Sequence, residues 1–289
     1  MKVTRIGRLQ AATIVQPASN QGTMKHLLAL LLLLSVALAQ SNPTAASSQG
    51  IPVDQENARK AKALIDQAIQ ALGGNAYLNI QDISQEGRTY SFHLGQPNSV
   101  GTIFWRFYKF PDKDRIEITK KRDIVAVFNG DQGYEITYKG TRKQDAKDVS
   151  DYVRRRHYSL DWVLRKWLKE PGVALFYEGP AVAGEKPVEQ VTVMNASNEG
   201  VTLYFDSNTH LPVKKTFSWR DPTDKQRNVE DEVYDNYRLI QGIEAPFSVT
   251  RYYNGDMENQ RFLTSVSFNQ NLSDSLFDAS VTSKAAPQK

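Results

Sequence analysis

GTIFWRFYKFPDKDRIEITKKRDIVAVFNGDQGYEITY, residues 101–138, holds four runs of strand-forming residues in under forty positions. The runs are Gly101–Phe110, Arg115–Thr119, Ile124–Phe128 and Tyr134–Tyr138, parted by Pro111-Asp112-Lys113 and Asn129-Gly130-Asp131. Proline, glycine and Asn/Asp clusters are turn chemistry, because they preset φ or tolerate left-handed backbone. Strands this close, with no helix between them, form antiparallel meanders rather than parallel β-α-β units.

Upstream, Gln85–Phe92 predicts another strand, followed by the loop Gly95-Gln96-Pro97-Asn98. Before it, Gln55–Leu72 predicts a helix with Asp54 as N-cap and Gly73-Gly74 as its stop. Ala58, Ala61, Leu64, Ile65, Ala68 and Leu72 make one apolar stripe on that helix, which must lie on another surface. Downstream, Ala146–Tyr158 and Ser159–Lys169 read as helices, the second with Leu160, Val163, Leu164, Trp167 and Leu168 at helical spacing. Strands then resume at Val173–Tyr177, Val188–Met194, Val201–Phe205, Val213–Trp219, Val229–Ile240, Ala245–Tyr253 and Arg261–Phe268. The order is therefore one helix, five strands, two helices and seven strands. This is a mainly β (α+β) chain, and one antiparallel sheet of about a dozen strands must curl. A curved sheet has a concave side, and the N-terminal helix and the inserted helical pair are available to fill it.

The rest of the chain bears on where such a domain works. Met24–Gln40 carries Lys25 and His26, the apolar run Leu27–Leu34, and the small residues Ala37-Leu38-Ala39 before Gln40. That is the layout of a cleaved secretory signal peptide, with cleavage after Ala39 and export of the chain that follows. As a helix, Leu27–Ala39 would span roughly 20 Å, short of the ~30 Å hydrocarbon core. Residues 1–23 are expected to be an upstream extension, with Met24 as an alternative start. Residues 40–53 read as a flexible linker, 54–280 as one domain and 281–289 as a flexible tail.

The formal net charge of +4 comes from 36 bases against 32 acids in 289 residues. Lys2, Arg5, Arg8 and Lys25 precede the expected cleavage point with no acid among them, so residues 40–289 carry 32 of each. A neutral domain gives a nucleic-acid partner no electrostatic footing. The chain has no cysteine, so neither a disulfide nor cysteine acylation is available, and stability must come from core burial.

Three stretches carry a resemblance. They are Tyr108-Lys109-Phe110-Pro111-Asp112-Lys113-Asp114-Arg115-Ile116-Glu117, Ile124–Tyr134 with its Asn129-Gly130-Asp131 loop, and Tyr204-Phe205-Asp206-Ser207-Asn208-Thr209-His210-Leu211-Pro212. In this order, after a signal and a first helix, they resemble the periplasmic outer-membrane lipoprotein-sorting carriers and receptors (LolA/LolB-like). The resemblance implies a half-open antiparallel barrel whose helices plug or lid an apolar concave side that shelters acyl chains. Those carriers often place arginine just before the strand-ending proline; here the residue is Phe110, with Lys109 before it.

The residues supply a separate argument for lipid. Ile103, Trp105 and Phe107 share one face of their strand, and with Ile116, Ile118, Val125, Val127, Phe217 and Trp219 they are expected to form an apolar concave wall. Each buried methylene is worth ~0.8 kcal/mol, so a long acyl chain brings roughly 10 kcal/mol of transfer drive. The competing reading is that these side chains are ordinary core against the first helix. Trp162 lies off its helix's apolar stripe, and is expected to touch cargo, line a lid or sit half-exposed. Arg154, Arg155 and Arg156 form a basic cluster that either meets anionic headgroups at the envelope membrane surface or is a solvated helix face.

Signs of catalysis are sparse. His93, His157 and His210 have no ligand spacing and there is no G-x-S-x-G, so neither a metal nor another cofactor is expected. Glu230, Asp231, Glu232 and Asp235 crowd one strand, but alternation divides them between faces, where Lys214 and Lys215 can pair across strands. The sequons at Asn195-Ala196-Ser197 and Asn271-Leu272-Ser273 are read as incidental. The leading expectation is a non-enzymatic periplasmic carrier or binding protein for lipid or lipoprotein acyl chains. The alternatives are an envelope-stress regulatory module on the same scaffold, sensing polypeptide or glycolipid, and a hydrolase with an unrecognised cleft.

Overall fold

A computed structural model of the chain describes residues 53–279. The expected signal peptide, the extension before it, nearly all of the linker and the tail lie outside the described residues.

Helix α1 spans Val53–Leu72. Asp54, expected as its cap, lies inside its first turn with Glu56, where carboxylates oppose the positive end of the helix dipole. The apolar stripe is buried as its spacing requires, with Ala61, Ile65, Ala68 and Leu72 at most 2% exposed. Gly73 follows at φ 124°, and a β-carbon there would stand 2.4 Å from the carbonyl oxygen of Gly242. Only glycine allows that docking of the helix end on the sheet. A one-turn helix α2, Asn75–Leu78, leads into the strands.

The first run of strands is β1 (Asp82–His93), β2 (Gln96–Pro97), β3 (Thr102–Lys109), β4 (Lys113–Ile118), β5 (Ile124–Asn129), β6 (Gln132–Thr137) and β7 (Gly140–Lys143). Helix α3 (Ala146–His157), helix α4 (Leu160–Arg165) and a 3-10 turn at Trp167–Lys169 come next. The second run is β8 (Ala174–Ala183), β9 (Lys186–Met194), β10 (Gly200–Asp206), β11 (Pro212–Arg220), β12 (Arg227–Ile240), β13 (Ile243–Tyr253) and β14 (Asp256–Phe268), closed by a 3-10 turn at Asp274–Phe277. The expected strands are all present. The two extra ones, β2 and β7, are short and lack an apolar pattern, which is why alternation does not reveal them.

Thirteen of these strands run in one antiparallel sheet, in the order β7-β6-β5-β4-β3-β1-β14-β13-β12-β11-β10-β9-β8, and β2 pairs only with β1. The sheet is curved and not closed, because β7 and β8 remain unpaired edges. The chain enters at the middle, runs out to β7, and must then cross a whole face of the sheet to reach β8. Helices α3 and α4 make that crossing. At the β8 edge, Asn57 of α1 donates to the Tyr177 carbonyl and accepts from the Tyr177 amide, both at 2.8 Å, satisfying groups an edge would leave open. At the centre, the β1–β14 pairing shifts register between Glu86 and Gly87, where β14 carries the extra residue, Thr264. A β-carbon on Gly87 would lie 2.2 Å from the Phe262 carbonyl oxygen and 3.1 Å from the Phe104 ring. Bulges bend a sheet, and this one sits where the two runs meet.

The core is divided. The larger cluster joins α1 and α4 to the concave face, including Val163, Leu164, Trp167, Val191, Leu203 and Phe205. A smaller cluster on the convex face holds Val125, Val127 and Ile136, covered by Phe277, Leu272 and Leu276 of the C-terminal segment.

Candidate functional site

Which face of β3 looks inward decides the site. Antiparallel register pairs Phe104 with Ile118, Arg106 with Ile116 and Tyr108 with Asp114. All six line one partly open cavity of about 380 Å³ on the concave side, within the range of small-ligand sites. The expected wall is therefore split. Ile116 and Ile118 line the cavity. Ile103, Trp105 and Phe107 stand on the opposite face, where the Arg122 guanidinium lies 4.8 Å from the Trp105 ring and 5.7 Å from that of Phe107. Val125 and Val127 are buried in the convex cluster under Phe277. Alternation could not choose between the faces, because both rows of β3 are apolar and aromatic. The covering C-terminal turn is remote in sequence.

Phe217 does face the concave side, but in its filled part, stacked on Tyr158 with ring centroids 4.3 Å apart. Trp219 belongs to a separate, shallower and more open groove of about 1040 Å³. Trp162 neither lines the cavity nor sits half-exposed. It is 7% exposed and packed against Phe110, with Arg156 and Lys166 over its ring. At Phe110, where the sorting carriers often have arginine, the Arg165 guanidinium lies 3.8 Å from the ring.

The basic cluster is not a solvated surface. Arg154 is bound to Asp151 and Glu230 at 2.7 and 3.0 Å, with its guanidinium 3.5 Å from the Trp219 ring. Arg156 donates to the Gly130 carbonyl at 2.7 Å and is only 9% exposed. Arg155 lines the cavity. Helix α3 rotates these side chains inward because it crosses the concave face. Spacing along α3 does not reveal that its polar side faces protein.

The cavity rests on six adjacent strands, β4, β3, β1, β14, β13 and β12, and α3 and α4 roof it. Its apolar part comes from Phe104, Ile116, Ile118, Leu160, Leu263 and Val266. Its polar part was not legible in the sequence. Arg106 grips Asp114, donating from Nε at 3.0 and 3.1 Å and from Nη2 at 2.7 Å. Tyr152, stacked on Phe128 at 3.6 Å, adds a 2.9 Å hydrogen bond to the same carboxylate. Glu232 accepts from the Tyr234 hydroxyl at 2.8 Å and pairs with Lys215 at 3.3 Å, while the Lys215 ammonium donates to the Tyr158 carbonyl. The signal that was available is the turn at Pro111, which pairs Lys109 with Lys113 and so sets Arg106 and Asp114 on one face.

Glu232, the lining tyrosines and Arg261 keep their ordinary charge states at neutral pH. Burial would raise the Glu232 pKa, but the charges of Lys215, Arg261 and Arg251 and the Tyr234 hydroxyl bring it down to about 2. Burial and neighbouring carboxylates push the phenols of Tyr108, Tyr152 and Tyr234 well above their ordinary value. Burial, together with nearby Arg106, lowers Arg261 to about 10, still cationic at neutral pH. A general acid or base needs a pKa near the working pH, and this lining is arranged to hold charge rather than to move protons.

In the open groove, His157 meets Glu199 at 2.9 Å, and Asn195 donates to the same Glu199 oxygen at 2.6 Å. Burial opposes ionisation of Glu199, but these two hydrogen bonds prevail and hold it below the usual range. The acid-rich strand β12 divides as alternation requires. Asp231 pairs with Lys214 at 3.2 Å, and Glu230 and Glu232 turn to the concave side. No helix among the described residues is long and apolar enough to cross a membrane.

No protein-family model matches the chain, and no curated protein matches it. Solved structures do match in fold. A DUF1329 family protein from Desulfovibrio piger aligns at 12% identity over 76% of this chain and 98% of its own, with a TM-score of 0.54. A putative outer membrane lipoprotein-sorting protein domain from Vibrio parahaemolyticus aligns at 10% identity over 77% of this chain and 97% of its own, with a TM-score of 0.51. A LolA superfamily protein from Nitrosomonas europaea aligns at 10% identity over 75% and 97%, with a TM-score of 0.47. The chain has the half-open barrel fold of the first two.

Proposed function

We propose that this chain is a non-enzymatic periplasmic carrier or binding protein for lipid or lipoprotein acyl chains. The observation that carries the reading is the hollow part of the concave face. Packed cores leave few voids larger than a water molecule, yet about 380 Å³ stays open beneath α3 and α4, over a floor of Phe104, Ile116, Ile118 and Leu263. Filling it with methylenes at ~0.8 kcal/mol each is favourable, and the half-open barrel it sits in is shared with the putative outer membrane lipoprotein-sorting protein domain from Vibrio parahaemolyticus. The fixed protonation of the lining favours binding over catalysis. Export through the Met24–Gln40 signal would place the carrier in the periplasm.

The test is native mass spectrometry of protein purified from its own envelope, paired with titration of the delipidated protein by a fluorescent fatty acid. A lipid adduct and saturable binding are expected. Bare protein that takes up no probe would end the carrier reading.

A further inference from the structure

Within the cavity, the direct ion pairs can be followed one by one, and they leave some cations out. Asp114 is held by Arg106 and Tyr152, and Glu232 by Lys215 and Tyr234. Arg251 uses its Nε on Glu258 at 2.8 Å, and among the described residues the two terminal nitrogens of its guanidinium make no hydrogen bond. Arg155 and Arg261 line the same cavity and, among the described residues, neither guanidinium makes a hydrogen bond or an ion pair. The Nε of Arg261 is buried with no partner, as is Oε1 of Gln85 on the neighbouring wall. Two carboxylates, Asp161 and Glu244, also line the cavity. Asp161 accepts from Tyr77 at 2.9 Å, and neither is among the charges acting on Arg155 or Arg261.

Arg261 and Arg251 are close in the sheet. Val249 is directly opposite Arg261, and Arg251 is two residues further along the same face of β13. Arg155 comes down from α3, and the charge that acts on it most strongly is Arg251, a like charge that together with burial lowers its pKa. Three cations thus line one space in which Glu232 and Asp114 act on Arg261, and Glu230, Glu258 and Asp151 on Arg155, only at a distance, and no carboxylate among the described residues bonds directly to Arg155 or Arg261. A buried guanidinium without a partner is costly, and it is retained where something outside the chain completes it. Planar guanidinium groups match carboxylate and phosphate oxygens in pairs.

The geometry points to an acidic amphiphile as the ligand: its carboxylate or phosphate head meets Arg155, Arg251 and Arg261, and its single apolar tail lies over Phe104, Ile116, Ile118 and Leu263. This rests on the lipid-carrier reading and names the ligand class for it. The volume, near the low end for ligand cavities, suits one tail. The lowered pKa of Arg261 agrees with a cation awaiting an anion.

Three probes with one tail separate the possibilities: hexadecanoic acid, hexadecyl phosphate and hexadecan-1-ol, titrated into the delipidated protein. The two acids should bind at least about tenfold more tightly than the alcohol, since a hydrogen bond to a charged group is worth that much or more. The tighter acid identifies the head group. Arg261→Met and Arg155→Met should each weaken acid binding by about tenfold or more and leave the alcohol unchanged, which also reports that the variants are folded. Should a variant fail to fold, Arg261→Lys, which keeps the charge, replaces it and should retain most of the preference for acid. Equal affinity for alcohol and acids, or variants that bind acid as wild type does, would overturn the inference and leave the carrier reading standing. If none of the three probes binds, both fall.

Discussion

Over β9–β11 the concave face presents Val191, Val193, Val201, Leu203, Phe205 and Phe217, each at most 3% exposed. Over β3, β4 and β12–β14 the same face presents Arg106, Asp114, Glu232, Arg251 and Arg261, and stays hollow. The difference lies in the two crossing helices. Short α4 buries Trp162, Val163, Leu164 and Arg165, whereas α3, twice as long, has no buried residue. Helix α4 fills the core beyond the edge of the cavity that its first residues line, and α3 only roofs. A curved sheet can therefore be stabilised at one end and kept open at the other, provided the roof brings charge and amphipathic side chains instead of methyl groups.

The comparison breaks most readily by truncating the filled half. Leu203→Ala should cost about 2–5 kcal/mol, while Ile116→Ala on the cavity wall should cost clearly less because one side of it already lacks partners. Urea midpoints of the two variants check this, and equal losses would mean the hollow is packed in solution. Next comes acid. Glu232 is depressed from about 4.5 to about 2, so its stabilisation is complete above pH 4.5 and is lost as pH falls from there towards 2. In Glu232→Gln this acid limb should flatten, with at most about 3 kcal/mol at stake, read from unfolding as a function of pH.

The joint between filler and roof is smaller. Ser159 caps α4 by accepting from the Trp162 amide at 3.3 Å, and Ser159→Ala should cost about 1 kcal/mol in thermal unfolding. The smallest effect sharpens the contrast by its sign. Arg261→Met, in the absence of ligand, should change stability by less than about 1 kcal/mol or raise it, since it removes an unpaired buried charge. A large loss would show that Arg261 is structural.

Element types were legible because they follow from periodicity. The α1 stripe and the alternating strands each have one repeat length, and the Pro111 and Asn129-Gly130 turns mark their ends. The cavity was legible only in part. Ile116 and Ile118 were named, yet Arg106, Arg251 and Arg261 carry no signal of their own, since a charged residue in an alternating strand is ordinarily on the wet side, and Arg155 was expected at a membrane surface or on a solvated helix face.

By itself, then, the sequence determined a large antiparallel sheet with an N-terminal helix and a helical insert. Local spacing and turn chemistry are enough for that, and the length of the sheet obliges it to curl. Only the tertiary structure decided which face of β3 turned inward. Two things settled it: the C-terminal turn covers Trp105's side of the sheet, and the β7-to-β8 crossing lays α3 over the other. The first depends on contacts such as Arg115 to the Leu276 carbonyl, 161 positions apart, and the second on contacts such as Tyr152 to Asp114 and Arg154 to Glu230, 38 and 76 positions apart, and no local pattern records them.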